Sequence, residues 1–254
     1  MILLHRLTPI AVAFLTLGGY LWVFYAGASA LVPALVIFAL IVFSLIRLLK
    51  WEWRSFSFWV FFGVPIFFFL SSFLFYVFLE SDLIKALLVV SVAAGMWLYS
   101  ENLFTFYYLP GSYQAYALEY LTLVLYVVSA FFFTSAAFAA QLFLQLPLWA
   151  PALAVFIVIL MATIAVFWVS KVPSNTSLLF AVSGAIIMTE LYVVISFFPT
   201  SFLTNAALFS IFLYLYLGLS RAHVLEKLTQ TVIRRYVGIA GILLIFVILS
   251  AQWI

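Results

Sequence analysis

Long apolar runs recur along the chain at 8–25, 31–49, 58–79, 83–100, 115–144, 148–170, 177–198, 202–219 and 235–253. A helix needs about 20 predominantly apolar residues to cross the hydrocarbon layer. The pattern therefore predicts nine transmembrane helices, an all-α polytopic membrane protein built as a single bundle over 1–254. The breaks carry turn and capping chemistry. Ser81 and Asp82 precede the fourth run, and Ser174 or Asn175 follows Pro173 before the seventh. Pro110-Gly111 stands before the fifth and Pro199-Thr200-Ser201 before the eighth. No alternation of polar and apolar strands is visible, which excludes a barrel. Gly63-Val64-Pro65 and Pro151 mark places where a helix could be interrupted. The fifth run, at thirty residues, is longer than a span requires.

Charge then orients the pattern. With nine spans and a cytoplasmic N-terminus, Arg6, Arg47, Lys50, Arg54, Lys171, Arg221, Lys227, Arg234 and Arg235 fall inside, and only Lys85 falls outside. Retained Lys and Arg mark the cytoplasmic face, so the C-terminus is expected outside. The eight tryptophans fall near span ends, where amphipathic rings prefer to lie. The first run resembles a signal peptide, ending in Ala28-Ser29-Ala30. Its cleavage would leave eight spans in the same orientation.

Composition narrows the chemistry. Of 254 residues, 69% are hydrophobic and 7% charged, against about a quarter charged in a soluble domain. No polar stretch is long enough to fold alone. The net charge of +3 sits beside the spans, which points to anionic lipid headgroups and not to nucleic acid. The absence of cysteine removes disulfides, thiolate metal sites and cysteine nucleophiles.

Carboxyl groups inside apolar runs are the strongest pointers, because holding them there costs free energy. Glu190 lies thirteen residues into the seventh run, with Ser183 two turns earlier on the same face. Glu101, Asn102 and Glu119 flank a tyrosine-rich stretch of Tyr107, Tyr108, Tyr113, Tyr116 and Tyr120 that contains no Lys or Arg. This stretch reads either as a polar vestibule or as an interfacial aromatic belt. Small residues at 129–130, 135–140, 181–185 and 238–241 suggest close helix contacts. Residues 220–235 read as a basic amphipathic helix on the cytoplasmic side, with Arg221, Lys227, Arg234 and Arg235 against lipid headgroups.

Enzyme classes find little footing. His5 and His223 lie at span ends, no His-Glu-x-x-His or phosphate loop is present, and Asp82 is the single aspartate. No metal or cofactor is expected. The sequence points first to a small permease-like bundle of the cell membrane. In it Glu190 would serve as a buried proton or cation site, with Ser183 on its face and Glu119, Glu101 and Asn102 at its mouth. The alternative is a non-catalytic membrane subunit or assembly factor that binds partner helices or lipid. A water-accessible cavity at Glu190 would favour the first, and an outward-facing Glu190 the second.

Overall fold

The computed structural model describes residues 5–26 and 31–251, the side chains of Ala26, Leu31 and Pro33 excepted. The small-residue pattern at 28–30 and Trp253 lie outside the described residues. Among the described residues nine long helices follow one another: α1 (Thr8–Ala26), α2 (Leu31–Leu48), α3 (Phe56–Val77), α4 (Asp82–Tyr108), α5 (Ala117–Leu144), α6 (Trp149–Val169), α7 (Ser174–Ser196), α8 (Phe202–Val224) and α9 (Gln230–Ser250). A 3₁₀ turn at Pro110–Ser112 links α4 to α5. Eight of the nine are long and apolar enough to cross a membrane, and the described part of α2 is apolar but shorter. No β-strand occurs among the described residues. The chain is a multi-pass α-helical membrane protein.

The helices fall into two compact units, 1–121 and 122–254, with the division inside α5. In unit 1, α1 packs on α2 and α4, and α3 packs on α4. One end gathers the start of α1 and the ends of α2 and α4: His5 stacks on Tyr108 with centroids 4.7 Å apart, and Lys50 Nζ lies 5.1 Å from the same ring. At the other end, Tyr20 meets Tyr76 at 5.2 Å. The four helices therefore alternate in direction, as short connections between antiparallel neighbours require.

In unit 2, α6 packs on α7, α7 on α8 and α8 on α9. Phe138 of α5 stacks on Tyr192 of α7 at 4.4 Å, and Phe143 meets Phe202 at 6.2 Å. At the opposite end Phe167, Phe180 and His223 join α6, α7 and α8. The last helix packs on α8 through Tyr236, which lies against Gly218, and has Ala240 as its one buried residue.

Local chemistry explains several boundaries. Ser201 caps α8 by accepting from the Thr204 N–H, and Thr229 caps α9 by accepting from Val232. Ser81 stands at the N-cap of α4 without a side-chain bond, and Pro173 occupies that place before α7. Neither candidate interruption breaks a helix. Pro65 lies inside a continuous α3, and Pro151 falls in the first turn of α6, where its missing N–H is no loss. Residues 220–235 do not form one helix. α8 ends at Val224, Glu226 takes φ 56°, and α9 starts at Gln230, so the segment is a helix–turn–helix.

Candidate functional site

The α7 helix presents a continuous outer stripe. Leu179, Val182, Ile186, Ile187, Val194 and Phe197 are exposed at helical spacing, and Glu190 is exposed within it. Among the described residues no side chain forms an ion pair or hydrogen bond with Glu190. It lies six residues before Ser196, about 9 Å inside the helix end at ~1.5 Å per residue. The helix turns its opposite face inward: Ala181, Ala185, Met188, Tyr192 and Ile195 are buried. Polar neighbours along α7 are spent on that inner packing. Tyr192 donates to Gln141 Oε1 at 3.0 Å, and Thr189 Oγ1 donates to the Ala185 carbonyl at 2.6 Å.

Ser183 belongs to the packing and not to Glu190. Its hydroxyl donates to the Leu179 carbonyl at 2.9 Å and lies in hydrogen-bonding reach of Tyr216. Tyr216 in turn donates to the Phe180 carbonyl and fills the space above Gly184. The small residues at 181–185 thus admit a tyrosine from α8. Those at 238 and 241 do not serve the same purpose, since no atom approaches the place a Cβ would take.

Glu101, Asn102 and Glu119 lie in unit 1, all half-buried. The Asn102 amide donates to the Leu98 carbonyl at 2.8 Å, and Thr105 donates to the Glu101 carbonyl. The tyrosine-rich stretch has no cation of its own, and the fold supplies one. Lys50, in left-handed conformation at the end of α2, places Nζ over Tyr107 and Tyr108 and donates to the Tyr107 carbonyl at 3.3 Å. Sequence spacing could not show this pairing, which joins residues 57 apart. Burial pushes the His5 imidazole below its usual value of 6.5, and the positive charges of Arg47 and Lys50 push the same way. His5 is therefore held toward its neutral form beside two cations.

The four basic residues near 220–235 are not equivalent. Arg221 is 9% exposed in the last turn of α8, whereas Lys227, Arg234 and Arg235 are exposed. No group of three or more His, Asp or Glu that could hold a metal occurs among the described residues.

Comparison with protein-family models, curated proteins and solved structures finds no match in any of the three. The chemistry of the site must therefore be read from its own residues. An outward carboxyl on an apolar stripe can accept a hydrogen bond, or pair with a cation, from something beside the helix. A second polar element, the Tyr192–Gln141 bond, ties α5 to α7 and holds the stripe in place.

An apolar slot of about 220 Å³ opens between α1, α2 and α3 in unit 1, walled by Gly19, Tyr20, Leu35, Phe38, Phe69 and Phe73. Its residues come from three separate runs, and each run alone looks like any other apolar span.

Proposed function

We propose that the protein is a non-catalytic membrane subunit, joined to a partner transmembrane helix along the outer face of α7. The observation that carries this reading is Glu190, exposed in an apolar stripe with no partner among the described residues. A carboxyl turned toward lipid is costly, and such groups normally face a bundle interior or pair with another polar group. A neighbouring helix carrying Lys, Arg or an amide at that depth would remove the cost. Interhelical hydrogen bonds of this kind contribute about 0.6–2 kcal/mol. The flanking Ile186, Ile187 and Val194 would supply van der Waals contact. No observation favours transport to a similar degree, since the polar groups near Glu190 are committed to helix packing.

The accompanying topology is nine spans in the cell membrane, with the N-terminus cytoplasmic and the C-terminus outside. Lys227, Arg234, Arg235 and Arg221 lie toward the inner leaflet in this reading, the first three exposed on the side of the anionic headgroups. In unit 1 His5, Arg47 and Lys50 gather around Tyr107 and Tyr108 while Lys85 stands at the opposite end, and Lys171 sits in the α6–α7 turn of unit 2.

A photoreactive residue at Ile186 tests the proposal in the native membrane. The expected result is one discrete protein adduct, reduced several-fold by Glu190→Leu and largely retained by Glu190→Gln, which can still hydrogen-bond. Adducts to lipid alone, together with Glu190-dependent proton or cation flux in liposomes, would overturn it. An adduct between two copies of this chain would identify the partner helix as its own α7.

A further inference from the structure

We propose that the slot in unit 1 holds the acyl chain of an anionic amphiphile whose phosphate or carboxylate rests on Lys85. This inference concerns unit 1 alone and does not depend on the reading of Glu190.

The slot accepts hydrocarbon and little else. The one hydroxyl in its wall, that of Tyr20, is bonded to Ser72 Oγ at 2.7 Å. Ser72 passes its own proton to the Phe69 carbonyl at 2.8 Å, so Tyr20 is the donor and no polar group is left over. The volume of about 220 Å³ exceeds the ~150 Å³ of an apolar cavity that stays dry and admits benzene. Aromatic contacts fix the walls: Phe38 stacks on Phe69 at 6.1 Å, and Tyr20 meets Phe69 edge-on at 5.8 Å. One side is closed by the approach of α1 to α2, where a Cβ on Gly19 would lie 2.8 Å from Ile37 Cγ2. The rim is open, with Leu35 66% exposed, so a chain can enter sideways from the bilayer.

Inside a bilayer no hydrophobic driving force favours the slot over the surrounding tails. Selection must come from shape and from a polar end. That end is in place. Tyr20 touches Tyr76, and Lys85 Nζ stands 5.7 Å from the Tyr76 ring. Lys85 is the basic residue that charge counting sets apart from all the others, and here it lies at the same end of unit 1 as the slot. Its carboxylate neighbour, Asp82, is 3.9 Å away and mostly in the open. That is beyond the 2.7–2.9 Å of a charge-assisted hydrogen bond, so the ammonium keeps donors for an incoming anion.

The test uses the full chain in lipid nanodiscs with three diazirine probes: a fatty acid, a phosphatidylglycerol and a phosphatidylcholine, each reactive on the acyl chain. Labelling should concentrate on peptides containing Leu35 to Phe38 and Phe69 to Phe73, and Ala34→Phe, which fills the slot, should remove most of it. The anionic probes should exceed phosphatidylcholine by about five-fold, the worth of one interfacial cation, and Lys85→Gln should erase that ratio. Asp82→Asn should raise it. A Lys85 whose role was only to pair with Asp82 would make both variants behave alike, and that result overturns the proposal. So does labelling spread evenly over exposed helices such as α9. Thermal unfolding of each variant checks folding. Labelling by the fatty acid alone, or by phosphatidylglycerol as well, tells free carboxylate from membrane phosphate as the source.

Discussion

Gly184 and Tyr216 show how much one missing side chain can decide in this protein. The ring occupies the space a Cβ would need, and its hydroxyl is anchored on the Phe180 carbonyl, so it cannot swing away cheaply. Gly184→Ala should therefore strain the α7–α8 crossing by about 1–3 kcal/mol, as other overpacked contacts do. The measurement is thermal unfolding in detergent, with Gly238→Ala as the control. Gly238 has nothing near its missing Cβ, so that substitution should leave the midpoint unchanged or raise it. The small size of 181–185 was legible in the sequence; that a tyrosine fills the gap was not. Glu190 presents the same division. Its presence in an apolar run was plain, but which side of α7 it takes depends on the neighbours that claim Ala181, Met188 and Tyr192.

At the scale of elements, helix ends obey a rule the sequence conceals. Lys50, Lys171 and Glu226 all take positive φ without being glycine. Each terminates a helix in the same way. Lys171 N–H bonds the Trp168 carbonyl at 2.9 Å and Val172 N–H reaches Phe167 at 3.0 Å, with matching pairs after Arg47 and His223. These are left-handed caps, usually given to glycine because other residues are strained there. Lys171→Gly should relieve that strain and raise stability by about 0.5–1 kcal/mol, seen as a higher unfolding midpoint. An unchanged or lower midpoint would show that the lysine side chain contributes more than its backbone costs. Reading Gly, Pro and Ser as breakers located the α6–α7 connection, at Pro173 and Ser174. It missed these caps because a charged residue in left-handed geometry leaves no compositional trace. Residues 220–235 are not one continuous helix for the same reason, since the turn at Glu226 lies in their middle.

For the whole molecule, orientation is the property most open to direct test. The chain has no cysteine, so single-cysteine variants report without background. In intact cells, membrane-impermeant maleimide should label cysteines at 82 and 146 and spare those at 54, 171 and 227 until the membrane is permeabilised. The reverse pattern would invert the proposed topology. Labelling at both 54 and 82 in intact cells would show that α3 does not cross.

Membrane residence and helical class were determined by the sequence alone, because lipid leaves a chain no other way to satisfy its backbone than by closing hydrogen bonds within each segment. Apolar runs of span length therefore read directly as helices, and the observed boundaries of α3 to α9 follow them within a few residues at most ends. Only the tertiary structure decided what each helix face meets. In lipid, both sides of a span are apolar, so the periodicity that marks buried from exposed positions in a soluble helix is faint. Packing alone turned Glu190 outward, brought Lys50 onto Tyr107 and Tyr108, and opened a slot between α1, α2 and α3 with Lys85 near its end.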